Sequence, residues 1–240
     1  MRHWWILGHG KIATALTERL DAQGAAYDQS SARDIMEKAP ESIDQSYAGI
    51  ILATTDATIG QLAEALGHLG LPMMHLSGAT SIDVIPDHVS AAVWWPMQSF
   101  NGNKVPWGDF PTFIEYRNQL AEDMLRSWAD DLGIPWGIEA TSAQRPDYHL
   151  GAVFANNFSN HIIGLYQAFF RAKGLDREVF DAMLRRTIER ALNHEDAHDL
   201  QTGPAFRGEH ETIAAHRARL PEELKSIFDA LTESIQQHAK

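Results

Sequence analysis

The chain has 240 residues, a formal net charge of −12, no cysteine and 44% hydrophobic residues. That hydrophobic share supports a packed core, the negative charge argues against nucleic acid or an anionic membrane as partner, and the absent thiols exclude disulfides and cysteine metal sites. No apolar run reaches the length of a membrane span and no signal-like segment opens the sequence, so a soluble cytoplasmic protein is expected.

In chain order, Trp4-Trp5-Ile6-Leu7 predicts a buried first strand. It runs into Gly8-His9-Gly10-Lys11-Ile12-Ala13, a G-x-G-x-x-A string, and Ala13, Leu16 and Leu20 follow at helical spacing. In a dinucleotide site each small residue has a task. Gly8 permits the turn, Gly10 leaves room for a pyrophosphate, and Ala13 lets the helix lie close to the strand, while the free N–H groups of the helix start face the phosphates. A structural turn that binds nothing is the plainer alternative.

Ala25-Ala26-Tyr27-Asp28-Gln29-Ser30 is polar for a strand and is placed only by order. The loop expected after it holds Ser31 and Arg33, which suit the 2′-phosphate of NADP. Asp28, an acid that would suit the ribose of NAD, falls too early, inside the strand. NADP is therefore preferred, with NAD as the alternative cofactor and an ordinary surface arginine as the plain reading. Gly49–Thr54 is the next strand, leading into the loop Ala53-Thr54-Thr55-Asp56 and a helix marked by Ile59, Leu62, Ala63 and Leu66. Met73–Leu76 leads into Ser77-Gly78-Ala79, and Ala91–Trp95 and Thr112–Tyr116 complete the strands. Strands alternating with helices predict a mainly parallel sheet, whose ligands bind beyond the carboxyl ends of the strands.

After Pro146 the pattern is helical throughout, so a Rossmann-type α/β domain over residues 1–142 and an all-α domain over 143–240 are expected. The apolar stripes at 180–192 and 224–235 exceed what one small helical domain needs, which predicts a homodimer through that domain. On one continuous helix, His149, Asn156 and Asn160 share a face, with Asn157 one position round. Such a polar stripe serves interhelical hydrogen bonds or a substrate. Gln201-Thr202-Gly203-Pro204-Ala205-Phe206-Arg207-Gly208-Glu209 forms a rigid loop, in which Arg207 either grips a carboxylate or pairs with a nearby acid.

The order of these motifs resembles the Rossmann-like proteins with a C-terminal domain of unknown function. These are relatives of pyrroline-5-carboxylate reductase and of deazaflavin-dependent NADP oxidoreductases, in the 6-phosphogluconate dehydrogenase-like superfamily. The resemblance is carried by Gly8-His9-Gly10, His75–Ala79, Trp95–Phe100, Asp109–Glu115, Tyr148-His149, Asn156-Asn157-Phe158, Gln201–Ala205 with Arg207, Thr212-Ile213 and His216. It implies an NADP-binding domain, a helical dimerisation domain and a reductase of unestablished substrate. Trp95 stands where that pattern often has His or Tyr, Glu209 where it has Asp, and no Lys lies between Tyr148 and Gln167.

The leading expectation is an NADP-dependent reductase of a small, carboxylated imine or carbonyl substrate. His149, Asn156, Asn157 and Arg207 would serve catalysis, and Gly8, His9, Gly10, Lys11, Ile12, Ser31, Arg33, Ala53, Thr54, Thr55, Ser77 and Gly78 the cofactor. The departures at Trp95 and the missing Lys support a non-catalytic dinucleotide-binding protein as the alternative. A remote third reading, a zinc hydrolase, rests on His194-Glu195-Asp196-Ala197-His198, which matches H-E-x-x-H without a third ligand at a recognised spacing.

Overall fold

The computed structural model describes residues 2–42, 46–102, 105–176 and 178–239. The chain falls into two compact units, Met1–Ala155 and Asn156–Lys240.

The first unit is built on one seven-stranded sheet in the order β2-β1-β3-β4-β5-β6-β7. Its strands are β1 (His3–Leu7), β2 (Ala26–Ser30), β3 (Tyr47–Leu52), β4 (Met73–His75), β5 (Ala91–Pro96), β6 (Thr112–Tyr116) and β7 (Ile138–Glu139). β1 to β5 are mutually parallel, β6 runs antiparallel to β5, and β7 is parallel to β6. This is a Rossmann-type α/β fold, followed by a helical region.

Side-chain alternation along the strands divides the core into two faces. Trp4, Ile6, Ile51, Met74, Ala92 and Trp94 pack under α1 (Lys11–Gln23) and α4 (Gln119–Leu132), which bring Leu16, Leu20, Met124 and Trp128. Trp5, Leu7, Ile50, Leu52, Met73 and Val93 pack under α2 (Ala32–Glu37) and α3 (Asp56–Leu66), which bring Ile35, Ile59, Leu62 and Leu66. β2 is polar because it is an edge strand with a single neighbour, and its residues stay half-exposed. Asp28 lies inside β2, where its carboxylate accepts a hydrogen bond from the Tyr47 hydroxyl and meets His3 Nε2 at 3.3 Å.

Two local expectations are corrected. Ser31 and Arg33 are not in an open loop. Ser31 is the N-cap of α2, and Arg33 lies in its first turn. The helix after Pro146 is not continuous α-helix either. α5 (Arg145–Ala152) passes into a π-helical turn over Val153–Phe158 and then α6 (Ser159–Lys173). A π turn takes more residues per revolution, so the shared face computed for His149, Asn156 and Asn160 at the α-helical period does not apply.

The second unit continues through α6, α7 (Glu178–Leu192), α8 (His210–Ala218) and α9 (Glu222–His238). None of its described residues is fully buried, and Phe158, Val179, Met183, Ile188, Leu192 and Leu231 are exposed. Among the described residues, no helix is long and apolar enough to cross a membrane.

Candidate functional site

Counting from β1, the chain moves one way to β2 and the other way to β3, so the strand order reverses at the β1/β3 border. Open α/β sheets have their crevice there, beyond the carboxyl ends of the strands. Gly8 follows β1 at this border with φ +130°, a conformation that L side chains rarely adopt. A Cβ on Gly8 would overlap the Ala53 carbonyl oxygen and sit 3.0 Å from its carbon, so the turn after β1 presses on the turn after β3. Gly8 N–H donates to Ser30 O at 2.9 Å, and Gln29 Nε2 donates to Gly8 O at 2.7 Å, which ties the turn to β2 as well.

Gly10 has the opposite character. It is the N-cap of α1 in an extended conformation, and a Cβ there would meet nothing within 4 Å. The first turn of α1 carries no acidic residue and its cap makes no side-chain hydrogen bond, so the positive helix end is left uncompensated. An open cradle over free N–H groups fits an anionic pyrophosphate. Beside it, His9, Lys11 and Thr14 share a cavity of about 220 Å³ with Phe100, Gly102 and Val105 from the loop between β5 and β6. Ile12 is half-buried against the α1 face of the core.

The remaining predicted cofactor residues lie at the carboxyl ends of β2, β3 and β4. Arg33 is exposed and makes no hydrogen bond or ion pair with the described residues. Thr54 hydrogen-bonds Thr58, and Thr55 occupies the N-cap position of α3 without a side-chain capping bond. Ser77 Oγ accepts from Ala79 N–H at 3.1 Å and Thr80 N–H at 3.0 Å, which folds the loop after β4 back on itself. Gly78 lies against the indole of Trp95, whose Cε2 a Cβ would overlap, with two further ring atoms at 2.7 and 2.8 Å. Trp95 stacks on Phe113 at 5.0 Å and stands 5.7 Å from the exposed His149 ring, while Phe113 contacts Tyr148 at 4.6 Å. The Ser77-Gly78 loop and His149 thus share one aromatic wall.

Under that wall is a polar knot that the sequence reading missed. Arg145, fully buried at the start of α5, ion-pairs with Glu115 of β6 and donates to Thr80 O at 2.7 Å. Ser142 donates to the Glu115 carboxylate through N–H at 2.9 Å and Oγ–H at 2.8 Å. His75 is buried close by, and Ser77 N–H donates to its Nδ1 at 3.2 Å. Burial first, and then the Arg145 charge, push the His75 imidazole down to about 3, so it stays neutral. The available signals were a lone acid ending the apolar run Thr112–Glu115 and an arginine just before Pro146.

Asn156, Asn157 and Arg207 belong to the second unit. Asn156 Nδ2 donates to Asn157 Oδ1 at 3.2 Å within the π turn. Arg207 Nε donates to Glu209 Oε1 at 2.6 Å, and that contact raises the arginine and lowers the acid. The His194–His198 string does not build the helical face that zinc proteases use. α7 ends at Leu192, His198 sits in a short 3-10 turn, and both imidazoles turn Nδ1 to Asp196. Among the described residues, no cluster of three potential metal ligands exists.

Residues 110–235 match the family model described as a domain of unknown function, DUF2520. No curated protein matches. Among solved structures, the chain resembles a candidate NADP oxidoreductase from Bacteroides fragilis, with 22% identity, 98% of both chains covered and a TM-score of 0.82. It also resembles a reductive aminase from Aspergillus terreus solved with cyclohexanone and allyl amine, at 14% identity, 98% and 95% coverage and a TM-score of 0.64. An imine reductase variant from Myxococcus stipitatus in complex with NAD+ matches at 13% identity, 99% and 93% coverage and a TM-score of 0.59. At these identities the likeness shows the fold.

Proposed function

The chain belongs to the DUF2520 family, and we propose that it is an NADP-dependent oxidoreductase that reduces a small imine or carbonyl compound. The observation that carries this reading is the paired behaviour of Gly8 and Gly10 at the β1/β3 border. One glycine is demanded by the fold, and the other faces open space where a pyrophosphate would lie. The solved neighbours described as NADP or NAD proteins support it. In this reading residues 1–142 hold the dinucleotide, and 143–240 supply substrate contacts and a dimer interface.

Bound there, the reduced nicotinamide supplies hydride. The α1 N-terminus and Gly10 would hold the pyrophosphate, Ser31 and Arg33, which has no partner among the described residues, would hold the 2′-phosphate, and Thr54, Thr55, Ser77 and Gly78 would contact the ribose and ring. His149 delivers the proton, since histidine is the side chain suited to that task near neutral pH. The second unit, with no fully buried residue among those described and with Phe158, Val179, Met183, Ile188, Leu192 and Leu231 exposed, supports a homodimer of this 26.8 kDa chain.

Binding without turnover is the second reading, and one observation favours it. Trp95, at the position where the resembling pattern often has His or Tyr, is an indole buried against Gly78 and Phe113. NADPH oxidation with a panel of cyclic imines and aldehydes separates the two. Turnover that collapses in His149→Ala supports the reductase, whereas tight NADPH binding with no turnover of any panel member supports the second reading. Arg33→Ala is expected to erase the preference for NADPH over NADH. A monomer by light scattering at micromolar concentration would contradict the dimer.

A further inference from the structure

Beside the Trp95–His149 wall the first unit has a second cavity, of about 560 Å³, lined by Met97, Gln144, Asp147, Tyr148, Gly151 and Ala152 among others. Met97 directly follows β5, and Tyr148 rests on Phe113, which stacks on Trp95. The cavity therefore opens at the carboxyl ends of the central strands, where the reacting end of a substrate belongs. Its lining is mostly apolar or aromatic, with two polar side chains. Gln144 Oε1 accepts from Thr141 N–H at 3.0 Å and Thr141 Oγ–H at 3.1 Å, which leaves its amide NH2 as a neutral donor. Asp147 makes no side-chain hydrogen bond and no ion pair with the described residues, and no Lys or Arg lines the cavity.

An aspartate in the first turn of a helix needs no ligand to be stable there. What gives this one a further role is the company it keeps: a carboxylate unpaired among the described residues, an aromatic face and a thioether around one concave space, with no Lys or Arg among the described residues that line it. We infer that this cavity takes a cationic amine or iminium group carried on an apolar body. Asp147 supplies a charge-assisted hydrogen bond, Tyr148 offers its ring to the cation, and Met97 with Gly151 and Ala152 accommodates the apolar part. A carboxylate entering the same space would meet Asp147 as a like charge. The inference rests on the reductase reading only in making this ligand the substrate; the ligand's chemistry rests on the cavity itself.

Three benzyl-type probes of similar size test it on the full chain: benzylamine, benzyl alcohol and benzoate, titrated at pH 7.5 by calorimetry or ligand-observed NMR. Benzylamine should bind at least tenfold more tightly than benzoate. Asp147→Asn, an isosteric change at an exposed position, should weaken benzylamine five- to tenfold and bring it level with benzyl alcohol. No benzylamine binding, benzoate bound as tightly, or unchanged benzylamine affinity in Asp147→Asn would each overturn the inference. NADPH titrated into the same samples keeps the two claims apart. Amine selectivity without NADPH binding defeats the reductase reading and leaves the cation site; NADPH binding without amine selectivity does the reverse.

Discussion

Replacing Gly8 by alanine tests whether the turn after β1 is welded to the turn after β3. The backbone at Gly8 has φ +130°, and holding a non-glycine residue in such a region costs about 1–3 kcal/mol. The new methyl also overlaps the Ala53 carbonyl, a backbone group at the end of β3 that cannot swing aside as a flexible side chain would. Overpacking of that kind costs roughly another 1–3 kcal/mol. Gly8→Ala should therefore lose about 2–6 kcal/mol, a large part of the ~5–15 kcal/mol that holds a domain together. Gly10→Ala is the internal control. Its φ of −74° is open to any residue and its Cβ meets nothing, so the loss should stay below about 1 kcal/mol. Urea unfolding followed by the fluorescence of the buried Trp4, Trp94 and Trp128 reads both variants. A Gly8→Ala protein within about 0.5 kcal/mol of the parent would refute the packing described for this turn.

Two further outcomes follow from the polar knot. His75 is held neutral down to about pH 3, while an unfolded histidine takes up a proton near 6.5, so the unfolded state binds the extra proton between those values and stability falls as the pH is lowered through that window. From pH 6.5 to 5 this contributes a loss of about 1.6 kcal/mol, which His75→Leu should remove from the pH dependence of unfolding; an unchanged slope would contradict it. Arg145→Met strands the Glu115 carboxylate beside Ser142 and frees the Thr80 carbonyl, and should cost about 3–5 kcal/mol in denaturant unfolding, with a loss under 1 kcal/mol counting against the knot.

What could be read from the sequence was what depends on neighbours along the chain. The five buried strands announced themselves as short apolar runs, and Gly8 and Gly10 by their spacing after the first of them. β2 was faint because an edge strand with one neighbour has no reason to be apolar. β7, two exposed residues long, carries no pattern, and α4 passed unremarked although Asn118 caps it and Met124, Leu125, Trp128 and Leu132 mark its buried face. The π turn hides inside a helical pattern, because its residues are those of an ordinary helix and only the hydrogen-bond offset changes. The Arg145 knot joins segments 30 and 65 residues apart, and no local spacing encodes such a meeting. Asp147 reads as a helix-start acid until Met97, from another element, closes a cavity around it.

Whether the β1/β3 border binds a dinucleotide is decided by Gly10→Val. The valine side chain enters space that the folded chain leaves open, so circular dichroism and unfolding should report a native protein, while calorimetry with NADPH shows binding to the parent and none to the variant. A natively folded Gly10→Val protein that binds NADPH with the parent's affinity would contradict the account.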